Sequence, residues 1–339
     1  MIQELPAVKF DHLMDMSGPW GTFEHARENL PRKEHGYCTD DVARVLLVCL
    51  REPQPSVHVS RLAERSLQFL CDAQDYTGRF FNRRLQDGTW TGFSSSEDCW
   101  GRALWALGTA SVRGIDLDHR ERASVMFEQS APVGSRWPRS LAFATLGAYE
   151  RMGDIDDTAT SRLMFDARQA LDREEMSDDW YWPEPKLTYA NAVLPDALLV
   201  VGLYYEDAEL VSRALGQLEW LLAMETKRGF LSVSPVGGRS LDNPASLFDQ
   251  QPIEVAALVE ACSRALSVTG DERWRRGVEL GVNWFLGDND GGCLMFDPET
   301  GGGFDGLTPS GPNVNQGAES TLAMLATLQH AQRWLGEVK

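Results

Sequence analysis

The strongest constraint in the 339-residue chain is an alternation between two kinds of helical segment. One kind is amphipathic: Leu62, Ser66, Phe69 and Leu70, or Val211, Leu215, Leu218 and Leu222, fall on a single stripe with charges elsewhere. The other is apolar or small nearly all round, as in VARVLLVCL after Asp41, GRALWALGTA from Gly101 and IEVAALVEACSRAL from Ile253. A helix with no wet face must be covered on every side. Segments of this second kind open near Thr39, Glu97, Trp137, Leu187, Gln250 and Asn315. Amphipathic segments lie between them near 57–74, 116–129, 156–172, 207–225 and 271–285, and a short one near 10–14 makes the twelfth. Six covered helices alternating with six exposed ones are what a closed ring of helical hairpins requires. The predicted fold is therefore all-α: an (α/α)6 barrel with inner and outer helix rings, built from residues 1–339 as a single domain.

The connections are uneven. Links from inner to outer helices are short, such as REPQPS after Leu50, whereas links into inner helices are long and carry glycine, aromatic and carboxylate residues. Three of the long links read as short β-hairpins: GRFFNRRLQDGTWTGF, with an Asp87-Gly88 turn between alternating segments, GFLSV, and CLMFDPETGG. Function concentrates on such a long-loop face.

Charge narrows the partners. Fifty acidic residues against 32 basic ones give a formal net charge of -18, which repels a nucleic-acid backbone or an anionic membrane surface. No apolar run approaches the roughly 20 residues that span a bilayer. The opening MIQELPAVKFDHLMDM lacks the basic-then-apolar pattern of a secretion signal, so a cytoplasmic location is expected. The six cysteines form no CxxC pair and are expected to be reduced.

Each inner helix is preceded by a polar or aromatic cluster, and in a hairpin barrel all six inner N-termini point to one end. HGYCTDDVAR offers His35 as a hydrogen-bond partner, Tyr37, a capping Thr39 or Asp40, and Asp41 in the first turn. SSSEDCWGRALW repeats the pattern with Asp98, Trp100 and Arg102, and SRWPRS supplies Arg139. WYWPEPKLTYANAVLP sets Glu184 among Trp180, Trp182 and Tyr189, with Asn191 following. A carboxyl buried among aromatics has a raised pKa and stays protonated, which makes Glu184 a candidate general acid. FDQQPIEV gives Gln250 and Glu254, the latter a lone charge in an apolar helix. NVNQGAES gives Asn315, Gln316 and Glu319. The chain also carries 11 tryptophans, and those in the clusters, with Trp90, Trp137, Tyr37 and Tyr189, are placed to stack on sugar rings. The loop with Asp288, Asn289, Asp290 and Asp297 lacks EF-hand spacing, so no metal is expected. No GxGxxG, P-loop, GxSxG or HExxH stands in a supporting context, and no cofactor is expected.

These helices and clusters resemble the six-hairpin glycosidase superfamily over nearly the whole chain. More narrowly, HGYCTDDVAR, LTYANAVLP, FDQQPIEV and NVNQGAEST look like a bacterial family associated with glycosyltransferases, in which the fourth inner helix opens with an acidic residue where this chain has Ala190. The resemblance implies an enzyme acting on an oligosaccharide with paired carboxylates, and a functional link to a glycosyltransferase. The expected reaction is inverting glycoside hydrolysis, with Glu184 as acid and Asp41, Asp98 or Glu254 as base, and Glu319 as a further catalytic carboxylate. A phosphorylase using Arg102, Arg139 and Arg44, an epimerase, and a non-catalytic glycan binder are the alternatives; an epimerase wants a second histidine that the clusters lack.

Overall fold

The structure, a computed structural model, describes residues 5–152, 157–173, 177, 179–242 and 247–336. Twelve helices follow one another: α1 (Asp11–Asp15), α2 (Thr39–Arg51), α3 (Val57–Ala73), α4 (Asp98–Arg113), α5 (Leu117–Ser130), α6 (Pro138–Arg151), α7 (Thr158–Leu171), α8 (Val193–Tyr204), α9 (Ala208–Met224), α10 (Pro252–Thr269), α11 (Glu272–Phe285) and α12 (Ala318–Leu335). The even-numbered helices form the inner ring. Each packs on the next, from α2 through α4, α6, α8 and α10 to α12, and α12 packs back on α2, so the ring closes. The odd-numbered helices lie outside, each against its hairpin partner, with the five-residue α1 against α12. This is the predicted (α/α)6 barrel. The predicted start of one outer helix at Asp156 lies outside the described residues.

Helix starts differ between the rings for a physical reason. The outer helices α3, α5, α7, α9 and α11 are each capped by a side chain, Ser56, Asp116, Asp157, Asp207 and Asp271, accepting from a first-turn N–H. None of the six inner helices has such a cap, and the expected Thr39 or Asp40 cap is absent because Thr39 donates its hydroxyl to the Phe81 carbonyl. Five of the six instead carry a carboxylate in the first turn. Helix N-termini converging on one end make a positive field that stabilises such carboxylates.

The inner ring is tightest between α4 and α6, where glycines let two backbones meet. A Cβ at Gly101 would collide with the Ser140 carbonyl, and one at Gly108 with the Gly147 carbonyl. Gly108→Ala is expected to cost about 1–3 kcal/mol in urea denaturation, the usual range for overpacking a core.

Every described strand pair lies in a link into an inner helix. Arg83–Arg84 pairs with Trp90–Thr91 and with Tyr37–Cys38, and Thr226–Lys227 pairs with Phe230–Leu231. The third predicted hairpin is displaced: CLMFDPETGG contributes only a Phe296–Gly303 bridge, and the pair in that link is Gly306–Thr308 with Gly311–Asn313. Among the described residues no helix is long and apolar enough to cross a membrane.

Candidate active site at the barrel mouth

A cavity of about 570 Å³ opens where the inner N-termini converge. Its walls are polar and heavily charged. Helix α2 supplies Asp40, Asp41 and Arg44, α4 supplies Asp98 and Arg102, and α12 supplies Glu319; loops bring Glu24, His25, Arg83, Tyr189, Gln251 and Asp305.

Arg44 organises the floor. One of its terminal nitrogens donates to Asp41 Oδ1 at 2.6 Å and the other to Glu319 Oε2 at 2.9 Å, tying α2 to α12. The two carboxylates are pushed in opposite directions. Burial raises the Asp41 carboxyl to about 7, with Glu319 and Asp40 adding to the push and Arg44 opposing it. Withdrawal from bulk water would raise Glu319 too, but Arg44 and Arg102 outweigh it and hold that carboxyl below its ordinary value. Glu319 also keeps 43% of its side chain exposed, whereas Asp41 is enclosed. Arg102 lies 4.0 Å over the Phe143 ring, with Nε 3.6 Å from Asp40 Oδ1, and Arg83 pairs with Glu24. Each of the three guanidiniums lining the cavity therefore already has a carboxylate. On the opposite wall the Tyr189 hydroxyl donates to Asp98 Oδ2 at 2.8 Å.

Behind Tyr189 the loop from Leu187 to Ala192 is held by a second polar assembly. Arg139 makes a two-pronged pair with Glu184 at 3.0 and 2.9 Å, and donates to the Tyr189 carbonyl and to Asn191 Oδ1. Glu254, 4% exposed, accepts from the Ala190 N–H, the Asn191 N–H at 3.2 Å and Asn191 Nδ2 at 2.9 Å. Burial, with Glu225 adding to it, pushes the Glu254 carboxyl to about 8 against those donors. Ala190 sits at φ +44°, a conformation that costs alanine and that a short acidic residue tolerates better.

The sequence-predicted residues divide accordingly. Asp41, Asp98 and Glu319 meet in the cavity, as do Arg102 and Tyr189. Glu184 and Glu254 do not line it: the first is the partner of Arg139 and the second fastens the loop. Arg139 and Asn191 belong to that supporting assembly. The tryptophan funnel is not formed. Trp100 and Trp182 are fully buried, Trp180 is 3% exposed with its indole N–H on the Glu184 carbonyl, and Tyr37 is fully buried and stacks on Phe23. Their helices and turns face them into the core, where a large ring buries most apolar area. Trp137 is exposed but lines a separate groove with Ser96 and Asp166. Gln250 and Gln316 are buried, Gln250 donating to Asp290 and accepting from Trp284 of α11, Gln316 donating to Asp297 and accepting from Thr300, and Asn315 accepts from the Glu28 N–H. His35 is exposed on the rim, edge-on to His25 at 5.1 Å between ring centres.

Glu24, His25, Arg83 and Asp305 were not anticipated. The first two are delivered by a contact that joins distant parts of the chain, the Ala318 N–H donating to the Glu24 carbonyl. Nothing local in FEHARE signals that.

Glu24, Cys38 and Asp41 present ligand atoms within 4.8 Å of one another. Burial, reinforced by Asp40 and Asp41, pushes the Cys38 thiol well up, so it stays protonated and donates to Asp40 and Asn82. With Glu24 and Asp41 each matched by an arginine, the set is built for hydrogen bonding rather than for a cation.

A closed ring of six hairpins with its polar cavity at the inner N-termini is an (α/α)6 barrel, and solved structures share that fold. A sugar epimerase from a ruminal bacterium superposes with a TM-score of 0.73 at 12% identity, covering 94% of this chain and 95% of the other. The cellobiose 2-epimerase from Spirochaeta thermophila gives 0.68 at 14%, covering 95% and 93%. A cellulase of C. cellulolyticum in complex with cellobiose gives 0.62 at 11%, covering 93% and 88%. At these identities the likeness is one of fold. No family model and no curated protein matches the chain by sequence.

Proposed function

We propose that the mouth cavity is the active site of a carbohydrate-active enzyme that hydrolyses a neutral oligosaccharide, with Asp41 as general acid and Glu319 as general base. One observation carries this reading. A single guanidinium holds two carboxylates whose surroundings push them apart, one protonated near neutrality and the other ionised. Such a divergence assigns acid and base in glycosidic chemistry. The acid would protonate the leaving oxygen while the carboxylate activates water. The sugar-processing neighbours on the same fold support the substrate class. Phosphorolysis is disfavoured because six carboxylates, Glu24, Asp40, Asp41, Asp98, Asp305 and Glu319, line the cavity against three arginines, a surplus of negative charge that repels phosphate.

A second reading, epimerisation, has its own support: His25 at the cavity beside His35 provides the second imidazole that the sequence clusters lacked, and two of the superposed structures are epimerases. One experiment separates the two. Oligosaccharides incubated with the enzyme in deuterated buffer are read by NMR: cleavage without ring deuteration is expected. Deuterium at the carbon beside the anomeric centre, with no cleavage, would transfer the site to epimerisation. Neither signal on any glycan would overturn the enzyme reading.

A further inference from the structure

The end of the barrel opposite the mouth holds a second cavity, of about 520 Å³, built mainly from the C-terminal halves of inner helices. Its charge runs against that of the whole molecule. Four arginines and a histidine line it against two glutamates, in a chain with a formal charge of -18. Helix C-termini favour cations, which accounts for Arg51, Arg113 and Arg333 standing at helix ends. It does not account for the centre, where two guanidiniums and an imidazole converge on one carboxylate. Arg51 grips Glu260 with both terminal nitrogens at 2.6 and 2.9 Å, His330 Nε2 lies 2.9 Å from it, and Arg264 lies 3.4 Å away while also holding Asp196 at 2.7 Å. Burial alone would raise Glu260, yet Arg51 and His330 hold its carboxyl well below the usual range.

We propose that this cavity is a binding site for a small multivalent anion, of the phosphate or polycarboxylate class, distinct from the mouth cavity. Three of the four arginines are matched, Arg51 by Glu260, Arg264 by Asp196 and Arg113 by Glu150 at 3.2 Å, so an anion entering here would be held by the N–H donors they still present and by Arg333, without displacing a carboxylate. Guanidiniums are suited to the task because each retains N–H donors beyond those already engaged. Arg113 is 52% exposed and Arg333 is exposed, so both stand at the opening where a ligand would arrive first. Ser263 and Gln332 add hydrogen-bonding groups to the wall. The position is also axial. A small interior cavity of about 70 Å³ shares Arg51 and Glu260 with this site and Arg44 and Arg102 with the mouth.

The full-length protein is titrated with inorganic phosphate and, separately, with citrate, against sodium chloride at matched ionic strength, following heat release and Tm. Saturable binding of at least one anion is expected, with a Tm rise absent in chloride; the two arms show which chemistry is preferred. Phosphate also stabilises proteins non-specifically, but that effect does not saturate. The double variant Arg113→Ala/Arg333→Ala, altered only at exposed positions, is expected to bind at least tenfold more weakly, and Arg83→Ala at the mouth to bind as the wild type does. No saturable binding of either anion, equal affinity in the double variant, or loss of binding in Arg83→Ala would each overturn the proposal.

Discussion

Asp41→Asn and Glu319→Gln are each expected to lower kcat of the proposed reaction by about 10²–10⁴-fold, the usual contribution of a positioned acid or base. Both substitutions preserve shape, so folding is retained and the loss falls on proton transfer. The pH profile adds a sign. With its carboxyl raised to about 7, Asp41 is protonated below that pH and spent as a donor above it, so kcat/KM falls on the alkaline side near pH 7. Glu319, held below its ordinary value, stays ionised through the same range and sets the acidic limb. Because the two share Arg44, the limbs belong to the pair. Asp41→Asn removes the alkaline limb along with most of the activity. Asp98→Asn, whose partner is Tyr189 and whose role is to shape the wall, is expected to lose less than tenfold. Wild-type turnover in both the Asp41 and Glu319 variants would sink the assignment.

The same site shows what a sequence can and cannot reveal. The helices were legible because periodicity reports burial directly, and the outer ones also carry Ser or Asp caps that mark their first residue. The one large boundary error, at Leu187, arose because the segment before α8 has helical composition but is pinned as a loop by Glu254 and Asn191. That the mouth would be acidic followed from the inner helix starts. Which member of each cluster faces the mouth did not follow, because one residue along a helix turns a side chain by about 100°. Trp100 therefore points into the core while Arg102 lines the cavity, although the two are neighbours in the same motif. Glu184 misled for a related reason. Its aromatic neighbours are present, but Arg139, 45 residues earlier, matches its charge.

The fold also bears on why carboxylates gather here. Six uncapped N-termini supply a positive field that arginines would only add to, and first-turn acids on five of the six helices answer it locally. Arg44 and Arg102 then pair with three of those acids, Asp41, Glu319 and Asp40, and Arg83 pairs with Glu24 of the preceding loop. Asp41 is exceptional because it is the carboxylate of the floor that is fully enclosed, and desolvation decides its protonation despite the arginine beside it.

Glu254 tests how far the supporting assembly matters. Glu254→Ala is expected to destabilise the protein by about 3 kcal/mol or more, since it strands buried N–H donors of Ala190 and Asn191 at roughly 1–3 kcal/mol each and leaves a void. The outcome does not depend on the protonation state of Glu254, because no acceptor remains in either case. Asn191→Ala removes part of the same network, so the double variant is expected to lose less than the two single losses combined. Urea denaturation of the four proteins measures this coupling. Turnover should fall as well, through displacement of Tyr189 from Asp98, and mainly as a rise in KM. A Glu254→Ala protein with wild-type stability and no turnover would instead return Glu254 to the chemistry, as a buried carboxyl raised to about 8 that donates its own proton.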